Sequence, residues 1–235
     1  MRVSNLHFDL VIVGAGIVGL SDLRIALVDQ SDPGILFNAS PTRLFDQLRF
    51  IAVTRRSQQI FERYQVWSSL ASVDCGAMID MEIQSSNTTE QLTFSAAEAG
   101  QPCLATIVNN AALQSALFLS ARALPELDIF FGHSIATIEE QPKGRLITLT
   151  SGKRLKATLI VGADGAQSKV RELANISCRR HDYQQEALIA TVRTQQPHRQ
   201  TAYQLFLPEG PLAFLPLHAP HTASIVSATQ IFVIN

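Results

Sequence analysis

The stretch from Val11 to Gln30, VIVGAGIVGLSDLRIALVDQ, constrains this chain more than any other. An apolar strand runs into Gly14-x-Gly16-x-x-Gly19, and a second apolar run, Leu23 to Val28, ends at Asp29. Each glycine has a task in a dinucleotide-binding turn. Gly14 permits the tight turn, Gly16 lets a diphosphate approach the backbone, and Gly19 lets a helix pack on the sheet. The helix start offers unpaired N–H groups and a partial positive charge to phosphates. Asp29 is placed to accept hydrogen bonds from a ribose hydroxyl. The plainer alternative is a glycine-rich turn in an unrelated α/β protein. The flanking strands and the terminal acid weigh against it.

The spacing is short. Gly14 and Asp29 are 15 positions apart, against about 20 or more in an intact unit. Only three residues separate Gly19 from Leu23, whereas a parallel crossover takes at least ~10–12 residues including its helix. Either the unit is not βαβ, or a helical piece that belongs near Leu20–Leu23 is absent from the sequence. The second reading is the expectation.

Composition narrows the class. Hydrophobic residues make up 46% of the 235 and charged residues 17%, as expected for a chain with a real core. The net charge is −1 and the arginines form no basic block, so nothing points to nucleic acid. Cys75, Cys103 and Cys178 are odd in number and far apart, which reads as packing residues in a reducing compartment. The opening MRVSNLHFDLVIVG is a strand feeding a turn rather than a signal peptide. No apolar run approaches the ~20 residues that span a bilayer.

Along the chain, Phe8 to Val13 and Leu23 to Val28 read as buried parallel strands, and residues 31 to 48 as loop. Thr54 to Val66 reads as a helix with Ile60, Phe61 and Tyr64 on one face and arginines on the other. Ile79 to Ile83 and Gln91 to Phe94 form a strand pair, and Asn109 to Ala123 a helix. Asp128 to Phe131, Ser134 to Glu139, Arg145 to Thr150 and Arg154 to Val161 are strands, the last two joined by a turn at Ser151-Gly152-Lys153. A helix follows from about Gln167 to Ala174, and the tail from Glu186 is strand after strand. The fold class is α/β: a Rossmann-like nucleotide domain with a partly inserted antiparallel β-sheet domain. The expected division is 1–77 and 104–178 for the first, 78–103 and 179–226 for the second, and 227–235 as a remnant strand.

A second motif is more specific. The strand Thr158 to Val161 delivers Asp164-Gly165-x-x-Ser168-x-x-Arg171 to the mouth of a helix. With Gly14-x-Gly16-x-x-Gly19 some 150 residues earlier, this sequence resembles the FAD-dependent aromatic hydroxylases of the para-hydroxybenzoate hydroxylase type. In that family the Asp-Gly motif touches both FAD and the reduced nicotinamide. Leu48-Arg49-Phe50-Ile51-Ala52, with the helix ending at Val66-Trp67, looks like the segment that places Arg49 beside flavin and pyridine nucleotide. Ile107-Val108-Asn109-Asn110 looks like the segment whose polar side chain contacts FAD, which points to Asn110. Tyr183-x-x-x-Ala187-Leu-Ile-Ala-Thr-Val-Arg193 and Gly210-Pro-Leu-Ala-Phe-Leu-Pro216-Leu217 look most like the ubiquinone-biosynthesis hydroxylases. The family's later G-D-A-A-H-type stretch is absent. A further junction is expected near Val226, with TASIV and ATQIFVI as separate strands and a C-terminal part beyond Asn235.

The resemblance implies an FAD-dependent monooxygenase that uses NADPH or NADH and O2 to hydroxylate the ring of a polyprenylated phenol, by way of a flavin C4a-hydroperoxide. It implies no catalytic side chain that the sequence identifies. Leu212 to Leu215 would supply an apolar roof or plain sheet core. His218-Ala-Pro-His221 reads as a turn and no metal is expected. A prenylated substrate implies a cytoplasmic protein at the inner membrane face, with a homo-oligomer or pathway complex compatible. The alternatives are a hydroxylase of another small phenol, a prenyl reductase or halogenase of the same fold, and a non-catalytic flavin-fold binding protein. Trp67 is the only tryptophan, which disfavours a halogenase.

Overall fold

The computed structural model describes residues 6–14, 23–30, 49–220 and 222–230. In chain order the first strands are β1 (Leu6–Val13), β2 (Ile25–Asp29), β3 (Phe50–Thr54), β4 (Cys75–Met78), β5 (Asp80–Ser85), β6 (Gln91–Ser95) and β7 (Ala105–Asn109). There follow β8 (Leu127–Phe131), β9 (Ile135–Gln141), β10 (Gly144–Leu149), β11 (Arg154–Gly162), β12 (Gln185–Arg193), β13 (Thr201–Leu207), β14 (Gly210–Pro216) and β15 (Thr222–Gln230). The helices are α1 (Arg55–Arg63), α2 (Asn110–Arg122) and α3 (Lys169–Leu173). The chain divides into two compact units, 1–38 with 117–180 and 39–116 with 181–235.

The first unit is built on a six-stranded sheet of order β8-β2-β1-β11-β10-β9. β1 lies parallel to both β2 and β11, and β2 parallel to β8. A strand with parallel neighbours on both sides is covered on both faces, which is why Leu10–Val13, the part of β1 flanked by β2 and β11, is apolar and buried throughout. Val11 and Val13 pack with Ala26, Val28 and Ile147 on one side. Leu10 and Ile12 pack with Ile25 and Leu27 on the other. Val11, Val28 and Ile147 are fully buried, each contributing about 1.5–3 kcal/mol of burial. β9, β10 and β11 close the sheet as antiparallel hairpins.

The second unit holds two sheets. One has the order β12-β15-β14-β13-β5-β6, the other β3-β7-β4. Ala202 and Leu217 meet Met78, Ala105 and Ile107 between them, with Phe50, Met81 and Leu215 at the margin. The α/β unit and the sheet-rich unit are of the classes expected from the sequence, with several differences in detail. The β3-β7-β4 sheet has no strand signal in the sequence, because four or five residues leave too little periodicity. The six-stranded sheet is not wholly antiparallel, since β13 runs parallel to β5. Residues 222–230 form one strand paired along its length with β12. α1 buries none of its residues. Ile60 is 51% and Tyr64 42% exposed, on the same side as the exposed Arg56 and Arg63. α3 is shorter than the helix expected over 167–174. Loop 31–48 and the glycine turn beyond Gly14 lie outside the described residues.

Candidate functional site

In the first unit, parts of the two motifs meet at the carboxyl ends of the parallel strands. The Gly14 amide donates to the Val28 carbonyl at 2.9 Å, and the Ala163 amide to the Val13 carbonyl at 2.6 Å. Gly14 has φ +103°; a Cβ there would overlap the Ala163 carbonyl and sit 2.7 Å from the Asp164 nitrogen. No other residue type fits. Asp29, half-buried, ends β2 one strand away, and its carbonyl accepts from the His133 amide at 3.2 Å. The chain passes from β1 to β2 on one side, while β11 lies on the other. Open α/β sheets bind ligands at such a reversal of strand order. Gly16 and Gly19 lie outside the described residues.

The octet from Asp164 to Arg171 braces itself. The Ser168 hydroxyl donates to Asp164 Oδ1 at 2.5 Å. The amides of Lys169 and Val170 donate to Asp164 Oδ2 at 2.6 and 3.1 Å. Ser168 Oγ in turn accepts from the Arg171 amide at 3.0 Å, capping α3. The Arg171 guanidinium donates to the Ala166 carbonyl at 2.8 Å, and Arg180 reaches the same oxygen at 3.2 Å. Acid, hydroxyl and guanidinium thus fix the shape of the turn around Gly165. Gly165 has φ +79° with nothing within 4 Å of a Cβ, so the backbone conformation requires glycine there and the space above is open. Partial burial works to raise the Asp164 pKa. The hydrogen bond from Ser168 and those involving the Val170, Asp164 and Lys169 backbone outweigh it and leave the carboxyl below its ordinary value.

In the second unit, Arg49 and Asn110 stand side by side although 61 positions separate them. β3 pairs with β7 so that Phe50 lies opposite Asn109. The next step brings the Asn110 amide to the Arg49 carbonyl at 2.9 Å. The Arg49 side chain is exposed and Asn110 half-buried. The buried neighbour Asn109 caps α2: its Oδ1 accepts from the amides of Ala111 and Ala112 at 3.0 and 3.1 Å. An Asn directly before an apolar helical run is a cap signal, so this role is legible in the sequence. Arg180 is not, because no spacing rule connects it to Ala166. Among the described residues no group of three or more His, Cys, Asp or Glu could hold a metal ion. Burial first, then the Asp74 charge, pushes the Cys75 thiol up to about 11, which makes it a poor nucleophile.

Residues 7–227 match the family described as FAD binding domain. The chain belongs to that family. Its cofactor is FAD. Among curated relatives, the chain is 26% identical over 224 residues to the 3-demethoxyubiquinol 3-hydroxylase of Escherichia coli (strain K12), covering 92% of this chain and 56% of that protein. It is 30% identical over 217 residues to the ubiquinone hydroxylase UbiL of Rhodospirillum rubrum, covering 89% and 49%. The chain therefore spans about half the length of these relatives. Its fold matches the crystal structure of p-nitrophenol 4-monooxygenase PnpA from Pseudomonas putida DLL-E4, with a TM-score of 0.75 at 15% identity over 99% of this chain and 60% of that one. It also matches P. aeruginosa PqsL in complex with 2-aminobenzoylacetate, with a TM-score of 0.76 at 17% identity over 95% and 61%. No helix among the described residues is long and apolar enough to cross a membrane.

Proposed function

We propose that this protein is an FAD- and NAD(P)H-dependent monooxygenase that hydroxylates the ring of a polyprenylated phenol in ubiquinone biosynthesis. The observation that carries the reading is the convergence of Gly14, Asp29 and the Asp164-Gly165 turn at the switch point of the first sheet. Named relatives that are ubiquinone hydroxylases supply the substrate class. Bound FAD, once reduced by a nicotinamide nucleotide, supplies the activation of O2; the chain supplies position.

In this reading Gly14, Gly16 and Gly19 cradle the diphosphate and Asp29 holds the adenosine ribose. Arg49 and Asn110 contact the flavin side. Asp164, Gly165, Ser168 and Arg171 hold the turn against which FAD and the nicotinamide nucleotide pack. The division of labour is 1–77 and 104–178 for cofactor, 78–103 and 179–226 for substrate. A cytoplasmic protein working at the inner membrane face, alone or with pathway enzymes, suits a membrane-dissolved substrate.

The test is direct. FAD-loaded protein should oxidise NADPH faster when a prenylated phenol is present, and mass spectrometry should find a product with one added oxygen. Asp29→Ala should bind FAD more weakly. Protein that never takes up FAD, or NADPH oxidation without oxygen insertion, would refute the reading.

A further inference from the structure

The six-stranded sheet of the second unit has two chemically unlike faces. Met81 and Ala202 turn one face toward the core beside Phe50. Strand alternation puts Glu82 of β5, Tyr203 of β13 and Phe214 of β14 on the other. Glu82 lies opposite Tyr203 and Tyr203 opposite Phe214, so a carboxylate, a phenol and a phenyl ring stand in one row across three strands. This face holds a cavity of about 400 Å³, lined by that row and by Thr194, Pro197 and His198 of the β12–β13 connection. The wall is fixed by His198, which is buried: its Nδ1 accepts from the Gln200 amide at 2.9 Å and its Nε2 faces the Ala219 carbonyl at 3.0 Å. A ring that accepts at Nδ1 and donates at Nε2 is neutral. Glu82 therefore carries the only formal charge among the described residues that line the cavity. It is half-buried, and among the described residues no hydrogen bond or ion pair engages its carboxylate.

We propose that this cavity binds an organic cation: one ammonium group on an apolar, ring-sized body. A half-buried carboxylate without a partner bears a desolvation cost that an arriving cation offsets. Aromatic rings beside it add attraction for positive charge at their faces. The ammonium meets Glu82, and the body lies against Tyr203, Phe214 and Pro197. An anion finds no lysine or arginine in the lining. A neutral apolar molecule would dry the carboxylate without matching its charge. A metal ion would need more ligands than one carboxylate, and no group of three or more His, Cys, Asp or Glu among the described residues could supply them. The cavity is large enough for a small molecule, whose sites run from roughly 300 to 1,000 Å³. The inference does not rest on the hydroxylase reading, because none of these residues is among those assigned to FAD and the nicotinamide nucleotide.

Isothermal titration calorimetry near neutral pH compares tryptamine, a cation there, with its neutral counterpart indole-3-ethanol. The parent protein should bind tryptamine about tenfold more tightly than the alcohol. Glu82→Gln keeps the shape and removes the charge, so it should weaken tryptamine about fivefold or more and leave the alcohol within about twofold. Tyr203→Leu should weaken tryptamine about threefold, while Tyr203→Phe, which keeps a ring, should not. Equal affinity of the parent for the two compounds overturns the proposal, and so does equal affinity of parent and Glu82→Gln for tryptamine. No binding of tryptamine up to about 10 mM overturns it as well. The two compounds on the parent decide the matter even if Glu82→Gln folds poorly. Location is read by nuclear magnetic resonance of isotope-labelled protein: the amides of Gln196 and Tyr203 should shift with tryptamine and that of Gly165 should not. Shifts centred on Gly165 would place the cation in the first unit and overturn the assignment.

Discussion

The α-carbon of Gly14 rests against the carbonyl of Ala163, so the first glycine of one motif is fitted to the residue just before Asp164 of the other. Two glycine substitutions should therefore differ sharply. Gly14→Ala meets both a positive φ and a backbone collision, and should cost about 3 kcal/mol or more, the scale of overpacking plus left-handed strain. Gly165→Ala meets open space and only the strain, and should cost about 1–2 kcal/mol. Urea denaturation followed by circular dichroism measures both.

Asp164→Asn should lower stability at neutral pH by about 1–2 kcal/mol, because a carboxylate that accepts three bonds at the start of α3 becomes a weaker acceptor. The folded pKa lies below the unfolded value of 3.8, so the stabilisation is complete above that value. It is lost as pH falls through the lower folded pKa. The gap between parent and variant should thus narrow below about pH 4. A gap that widened on acidification would contradict the hydrogen-bonding scheme.

What the sequence made legible follows from how local each signal is. β1, Gly14, Asp29 and the Asp164 octet announce themselves within a few residues, through two-sided hydrophobicity and glycine punctuation. β3, β4 and β7 do not: each is short, and β3 finds its partner more than 50 positions away. The parallel register of β13 on β5 joins residues some 120 apart and has no local signature. α1 shows the right periodicity, yet periodicity states which residues share a face and not what covers it. Arg49 and Asn110 were legible only through family resemblance; their juxtaposition came from strand pairing.

Asn109 and Asn110 should separate cleanly by mutation. Asn109→Ala removes the cap of α2 and should cost about 1–2 kcal/mol in thermal or urea denaturation. Asn110→Ala and Arg49→Ala leave that cap intact and should change stability by less than about 0.5 kcal/mol, while weakening FAD binding several-fold in a flavin fluorescence titration. A stability loss at Asn110 equal to that at Asn109 would mean the second asparagine is structural.

His198 lies buried between two loops of the second unit, and its ring is used at both nitrogens. Nδ1 accepts from the Gln200 amide at 2.9 Å, which assigns the proton to Nε2, where it points to the Ala219 carbonyl at 3.0 Å. The backbone amide of His198 adds a bond to the Pro220 carbonyl at 2.9 Å. The side chain therefore ties the β12–β13 connection to the β14–β15 connection, and the ring is too fully engaged to serve as a metal ligand. His198→Ala strands a buried donor and a carbonyl, at about 1–3 kcal/mol for the pair after partial rehydration. His198→Gln, able to make only one of the two hydrogen bonds well, should recover part of that loss. Amide exchange at Gln200 gives the decisive reading: it should quicken in His198→Ala well before the global midpoint, because the latch opens locally while the β-sheet beneath it holds.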